Sequence, residues 1–488
     1  MGFKWPPKLD LTDESNGLQD RNYRNHMQGN WNTLRWWYYH LMGYWSSFWN
    51  ILTGRLDDQD IKISALENKM TSQAIQNTNN TEVVDSRTNA KGKTFNSLGE
   101  RLNNDTYSKD EIDTMIDYVS LDDSIISDYT VDGVVDSLKS FAGQISTSSN
   151  FKCLLLQDEH FLTAYSWEAY ENFKNAGPLV YDMLANMAVF DGLLDSVVVN
   201  GDNIDGGDSN VNQLLLKNRK VASIIRLALS HTDVFVQLGN HDDGTVFNTT
   251  PGKFLTRSDV LKLYNYDAHS FGETRSDFDA FKDYNDKKVR LISLNTYNQT
   301  EKYDNNGNLI YSRGNHSVIT QKQLTFVVNA LASVPNGYAV LIVTHCPLQG
   351  YGNNKPFTSI DSYPYNTNHD LLNGVLQAYA GKTTYSGTGS DDNFPATIEA
   401  DFSKSNGDLA GVVVGHEHSD MSMQEIDGVK LTERCCFIPS GRVINGTKVN
   451  PDLGTIDQYA FDIIEIDTTN RQVIFKRFGQ GSDYSYGY

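Results

Sequence analysis

The sequence predicts an α/β layered domain over its last two thirds, preceded by a helical, coiled-coil oligomerisation region. Three observations carry this expectation. After residue 150, short apolar runs alternate with longer segments of helical spacing. Five of those runs end in polar clusters of Asp, His and Asn, at the carboxyl ends where open α/β sheets place their sites. Before residue 80, apolar residues recur by threes and fours along one seam.

The N-terminal region comes first in the chain. Six of the seven Trp precede residue 50 (Trp5, Trp31, Trp36, Trp37, Trp45 and Trp49). The stretch Trp36 to Gly54 has no formal charge when His40 is neutral, and its 19 residues are long enough to span a bilayer. However, His40, Ser46, Ser47, Asn50 and Thr53 interrupt it, and its apolar residues are mostly aromatics, which favour membrane interfaces over the hydrocarbon centre. A docking or oligomerising helix is expected, and no transmembrane segment. Trp49, Leu52, Leu56, Gln59, Ile63, Leu66 and Met70 then form a heptad seam, with Asp57, Asp58, Lys62, Glu67 and Lys69 off it. This predicts a short coiled coil and a homotrimer. A monomeric amphipathic helix is the alternative, because three heptads are near the minimum for the pattern.

A polar, Asn/Thr-rich connector follows over residues 77–104. Ser108 with Glu111 three residues on is a capping-box start for a helix carrying Ile112, Met115, Ile116 and Val119 on one side. The phrases Val83 to Arg87 and Gly92 to Leu102 resemble a short module of tail, baseplate and tail-fibre proteins of phages that infect Gram-positive bacteria, and Tyr107 to Asp113 resembles another fibre-protein phrase. The resemblance implies docking to other phage tail or baseplate proteins through residues 1–150. It divides that region into 1–80, the aromatic helix and coiled coil, and 81–150, the linker module.

Beyond residue 150, strands are expected at Phe151 to Gln157, Ser196 to Asn200, Val234 to Leu238, Val289 to Asn295, Tyr338 to Thr344 and Gly411 to Val414. Helices are expected at Tyr170 to Phe190 and Val211 to Leu229, and a closing hairpin at Tyr459 to Asp467 with Gln472 to Phe478. Long polar insertions over 243–287, 297–317 and 349–405 are the expected substrate-contacting loops.

The polar ends of the strands carry the chemistry. Leu154 to Gln157 runs into Asp158-Glu159-His160, and Val197 to Asn200 into Gly201-Asp202-Asn203-Ile204-Asp205. Val234 to Leu238 leads to Gly239-Asn240-His241-Asp242, Leu341 to Thr344 to His345, and Gly411 to Val414 to Gly415-His416-Glu417-His418. Carboxylate, imidazole and amide oxygen together suit borderline divalent metals, and a bridging carboxylate holds two ions about 3.5–4 Å apart. One such triplet is an ordinary turn, but five in order after apolar runs are not.

These motifs identify residues 151–488 as resembling the calcineurin-like metallophosphoesterases. The resemblance implies a two-sheet α/β/β/α sandwich and two divalent ions, with Mn²⁺ favoured over Fe, Zn²⁺ or Ni²⁺. It implies Asp158, His160, Asp202 and His418 at one metal and Asp202, Asn240, His345 and His416 at the other. It further implies His241 as the acid beside the scissile phosphate, oriented by Asp242, with Asp205 supporting the site by hydrogen bonding. A second triplet, Gly314-Asn315-His316, follows no sustained strand and reads as loop. His231, His269 and His369 lack motif context, and adjacent Cys435 and Cys436 are expected in a buried strand.

Together the two resemblances point to a virion tail or baseplate enzyme acting at the host cell surface on a wall phosphate polymer, teichoic or lipoteichoic acid. A free cellular phosphatase or nucleotide phosphodiesterase is one alternative, and a non-catalytic structural or receptor-binding tail protein another. Composition limits the rest. With 41 Lys+Arg against 61 Asp+Glu, the chain carries a net charge of −20, which disfavours general nucleic-acid binding. Four Cys at no paired spacing form no disulfide framework. The first residues lack the apolar core of a secretory signal, as expected of a virion component released by lysis.

Overall fold

The computed structural model describes residues 133–161, 180, 183–207, 210–229, 231–261, 273–348, 366–434, 443–444, 446–449 and 455–488. The chain divides into two compact units, residues 1–109 and 110–488, and every described residue belongs to the second. The aromatic helix, the heptad seam, the phage-like phrases, the capped helix at Ser108, His269, Cys435 and Cys436 lie outside the described residues. So does most of the helix expected over 170–190, where residues 183–186 are helical and Met187–Phe190 form a 3-10 turn.

In chain order the main elements begin with helix α1 (Val134–Ser146), β1 (Phe151–Leu156), β2 (Ser196–Asn200), helix α2 (Val211–Ala228) and β3 (Asp233–Gln237). Then come β4 (Thr274–Ser276), β5 (Asp279–Tyr284), β6 (Val289–Ser293), helix α3 (Gln321–Ala332), β7 (Ala339–Val343) and helix α4 (His369–Gly381). The last are β8 (Thr384–Thr388), β9 (Thr397–Asp401), β10 (Asp408–Val414), β11 (Gln424–Ile426), β12 (Val429–Glu433), β13 (Ala460–Asp467), β14 (Gln472–Gly479) and β15 (Tyr484–Gly487).

One sheet has six strands in the order β15-β14-β13-β1-β2-β3, with β1, β2 and β3 parallel. The other has seven in the order β11-β12-β10-β7-β6-β5-β4, with β12, β10, β7 and β6 parallel. Strand alternation then assigns the layers. Cys153, Leu155, Val198 and Phe235 of the first sheet pack with Leu291, Leu341, Val343 and Val413 of the second. Their neighbours Leu154, Leu156, Val197 and Val199 face outward to Leu138 and Phe141 of α1 and Leu214, Val221 and Ile225 of α2. On the far side, Ile292, Val340, Ile342, Val412 and Val414 meet Leu324, Val327 and Leu331 of α3 and Leu371, Val375 and Leu376 of α4. The result is the expected α/β/β/α two-sheet sandwich. Strands covered on both faces read as unbroken apolar runs, which is why their positions are legible in sequence.

Two insertions are more ordered than expected. The 243–287 segment supplies β4 and β5, and the 349–405 segment supplies α4 and the two-stranded β8–β9 ribbon. An edge strand and a ribbon bury one face only, so polar residues dominate their sequence: β9 alternates exposed and buried positions along Thr397–Asp401. Helix α3, absent from the expectation, has a legible start, the capping box of Thr320 with Gln323. The second Gly-Asn-His triplet lies in a loop as expected, His231 is exposed beside Asp191, and His369 is buried against Ser317 Oγ at 2.8 Å.

Asp279 of β5 ties this region together. Its Oδ1 accepts the N–H of Asn295 at 2.8 Å and Gln323 Nε2 at 3.2 Å. Burial pushes its carboxyl up to about 7. The folded chain therefore keeps a proton that an unfolded Asp loses near ~3.9, so stability is undiminished below that value and falls as pH rises toward 7. Asp279→Asn retains the Oδ1 acceptor and does not titrate. Urea midpoints should show it more stable than the parent at about pH 8, by at most about 4 kcal/mol, with a smaller gain at about pH 5. A gain independent of pH would contradict this account.

Candidate metal centre

The carboxyl ends of β1, β2, β3, β7 and β10 meet at one end of the sandwich and bring every expected ligand together. The loops zip onto one another beyond the strands. Asp158 N–H donates to the Gly201 carbonyl at 3.0 Å, His160 N–H to the Asp202 carbonyl at 2.8 Å, and Gly415 N–H to the His345 carbonyl at 3.1 Å. To turn their side chains into the shared space, Asp158, His160, Asp202, His416 and His418 all adopt left-handed backbone, with φ of 53°, 44°, 53°, 82° and 52°. Such conformations cost about 1–3 kcal/mol each and persist where the surroundings over-determine them.

Two clusters result. Asp158, His160, Asp202 and His418 offer ligand atoms all within 4.8 Å of one another, as do Asp202, His345 and His416. Asn240 joins the second, its Oδ1 3.0 Å from His416 Nδ1. Asp202 belongs to both. Asp158, Asp202 and His345 are buried, whereas His241, His416 and His418 are partly exposed, so the centre opens to solvent on their side.

The donor set fits cations. His345 Nδ1 donates to the Asn200 carbonyl at 2.7 Å, so its other nitrogen, Nε2, is a lone pair when the ring is neutral. That buried Nε2 has no hydrogen-bond partner and faces Asp202 Oδ2 at 3.4 Å. Two acceptors so placed repel unless positive charge stands between them. Burial works against a charged His345, but the Asp202 and Asp158 carboxylates outweigh it and lift the imidazole to about 9. Burial instead depresses His160 to about 3 and His416 to about 4, leaving neutral rings with lone pairs to offer. His160 Nε2 and His418 Nε2 point at each other across 3.0 Å, as two ligands of one ion would.

The expected acid, His241, lies beside this centre, its ring 4.7 Å from that of His160. Its N–H donates to Asp202 Oδ1 at 2.9 Å and its Nδ1 to the Asp205 carbonyl at 2.7 Å. The structure corrects the role expected of Asp242. That carboxylate does not orient the ring but braces the backbone: Oδ2 accepts Gly239 N–H at 2.7 Å, Asp202 N–H at 3.1 Å and Asn203 Nδ2 at 3.2 Å, and Oδ1 accepts Ile204 N–H at 3.1 Å. Those donors would otherwise be buried without partners. Asp205 accepts from His241 through its main-chain oxygen, while its Oδ1 accepts from Lys217 Nζ at 3.1 Å.

Several supporting residues carry no sequence signal. Lys217 is buried in α2, a position that its type rarely takes. Glu433 accepts Glu417 N–H at 2.8 Å and Ser419 N–H at 3.3 Å, holding the His416–His418 turn. Gln157 Oε1 accepts Asn200 Nδ2 at 3.1 Å, and its Nε2 donates to the Arg434 carbonyl. The need for glycine before Asn240 is steric: a Cβ on Gly239 would lie 2.0 Å from Asp202 Oδ1 and 2.3 Å from its backbone nitrogen. Gly239→Ala should therefore displace Asp202 and lower bound metal by at least one ion per chain, read by elemental analysis after dialysis. Gly143→Ala in α1, where nothing lies within 4 Å of the added methyl, should leave metal content unchanged. Equal content in both variants would contradict the steric argument.

Comparison with known proteins bears on this geometry. No curated protein is significantly similar to the chain. Among solved structures, the crystal structure of a dimetal phosphatase from Danio rerio is similar at 12% identity and a TM-score of 0.44, covering 70% of this chain and 100% of that one. Residues 179–420 match the calcineurin-like phosphoesterase family model. The Asp158–His160 turn precedes the matched residues and the β13–β14 hairpin follows them, and both belong to the same sandwich. The chain thus carries a calcineurin-like phosphoesterase domain, and with its Asp/His clusters it is a metal-dependent phosphoesterase.

Proposed function

We propose that the chain is a dinuclear-metal phosphodiesterase of a phage tail or baseplate that hydrolyses wall teichoic or lipoteichoic acid at the host surface. The observation that carries the chemistry is the sharing of Asp202 by two ligand clusters at the solvent-open end of the sandwich. Asp158, His160, Asp202 and His418 hold one ion, and Asp202, Asn240, His345 and His416 the other. Mn²⁺ suits these oxygen and imidazole ligands, among which there is no thiolate. The location rests on the phrases over 83–102 and 107–113. On this reading residues 1–80 dock and trimerise among other tail proteins, and residues 81–150 link them to the catalytic sandwich.

When bound, two divalent cations would supply the positive charge that neutralises phosphoryl oxygens and acidifies an attacking water. The chain's own part is positional. Asp202, fixed by Gly239 and by the His241 N–H, would be the ligand common to both ions. His241, its Nδ1–H held by the Asp205 carbonyl, gives its Nε2 proton to the leaving alkoxide. Attack by water leaves no phosphoenzyme to trap.

Teichoic acid from a host wall, a nucleotide diester and a phosphomonoester, each incubated with the purified protein and Mn²⁺, separate the readings. Release of glycerol- or ribitol-phosphate fragments, lost in Asp202→Ala, is expected. Turnover of the nucleotide diester alone would make this a nucleotide phosphodiesterase, and turnover of none a non-catalytic tail protein. His241→Ala should keep its metals but hydrolyse esters of poor leaving groups roughly 10²- to 10⁴-fold more slowly, with a smaller loss for good leaving groups. Loss of metal in that variant would make His241 a ligand instead.

A further inference from the structure

The second Gly-Asn-His triplet offers no ligand, yet its loop lies against the metal centre. Asn240 donates from Nδ2 to the Gly314 carbonyl at 3.3 Å. A carbonyl only accepts, so the amide presents its NH₂ on that side and its oxygen on the other. That oxygen is the atom 3.0 Å from His416 Nδ1. With the opposite flip, the amide would present hydrogen atoms to a cation in the second cluster.

Gly314 is itself held. Its N–H donates to Thr245 Oγ1 at 2.8 Å and Ser312 Oγ at 3.1 Å. A Cβ there would lie 2.3 Å from the backbone of Val246, so the two turns touch main chain to main chain. Thr245 Oγ1 in turn donates to Asp243 Oδ1 at 2.7 Å. Buried Arg313 joins the turns by charge: it pairs with Asp243 Oδ2 at 2.8 Å and with Glu301, and also donates to the Gln299 carbonyl. The 312–314 loop and the turn that follows Asn240 are therefore one braced unit.

We propose that this loop, clamped by Arg313, is a positioning device for Asn240, in which the Gly314 carbonyl sets the amide so that Oδ1 faces the second cation. The proposal rests on the reading of Asn240 as a ligand. It explains why the chain spends a buried arginine and a tightly packed glycine on a loop that contributes no metal-binding side chain.

The test uses the full chain, stripped with chelator and titrated with Mn²⁺ by calorimetry. Thr245→Val and Arg313→Met are compared in the parent and in the Asn240→Asp background. A carboxylate has an oxygen on either side and needs no flip control. In the parent background each variant should weaken one of the two sites roughly tenfold or more. In the Asn240→Asp background the same substitutions should change that affinity several-fold less. Equal weakening in both backgrounds overturns the proposal, since the loop would then act on the site as a whole, and so does unchanged affinity in folded Thr245→Val. A raised KM with unchanged metal affinity also overturns it, making the loop a substrate contact. Thr245→Val retains Arg313 and decides the matter if Arg313→Met fails to fold. A parent that binds fewer than two Mn²⁺ fails differently, because it removes the dinuclear reading itself.

Discussion

The structure is organised around the burial of one carboxylate, Asp202. It is almost inaccessible to solvent, stands 3.4 Å from a bare imidazole nitrogen and is shared by two ligand clusters. An ionised group so placed requires opposite charge and hydrogen bonds close by. His345 and the other imidazoles hold its pKa well below the usual carboxylate range despite the opposing effect of burial. The His241 N–H and the missing Cβ of Gly239 then fix its orientation. Ligand spacing, glycine placement and the position of His241 follow from that one requirement.

The sandwich supplies the rigidity that this arrangement needs. Left-handed backbone at five candidate-ligand positions is tolerable only where neighbouring loops hold it, and here the loops are zipped by backbone hydrogen bonds continuing beyond the parallel strands. A one-residue slip of β1 or β10 would exchange its inward and outward faces and rotate the attached ligands out of the centre. The three apolar layers, one between the two sheets and one on each outer face, make such a slip costly, at roughly 1.5–3 kcal/mol for each large side chain exposed.

A buried ionic network carries this rigidity to the closing hairpin. Arg434 pairs with Asp462 of β13 at 3.1 Å, and Arg477 of β14 pairs with Asp462 at 2.8 Å and with Asp420 at 2.7 Å. Charges buried in this way gain little net stability but are very unfavourable when any partner is removed. The Arg434 carbonyl accepts from Gln157, the residue before Asp158. The hairpin, distant in sequence from all the ligands, is thus connected to the start of the metal site. Among the described residues no helix is long and apolar enough to cross a membrane.

The sequence by itself determined strands β1, β2, β3, β6, β7 and β10, the closing hairpin and the types of the candidate ligands. Runs such as Val197–Val199, enclosed on both faces, must be continuously apolar, and candidate ligands such as Asp158 and His418 must be chemically competent wherever the chain places them. Only tertiary structure decided which groups support them. Gln157 meets Arg434 across 277 positions and Asn240 meets Gly314 across 74, contacts for which a local pattern contains no term. Lys217 resembles any solvated lysine of an amphipathic helix until packing places it beside Asp205. Asp242, adjacent to His241, suggested a carboxylate–imidazole pair, but the buried N–H groups of Asp202, Ile204 and Gly239 needed an acceptor there. Desolvation of those backbone groups, which exists only once the loops are packed, claimed the carboxylate.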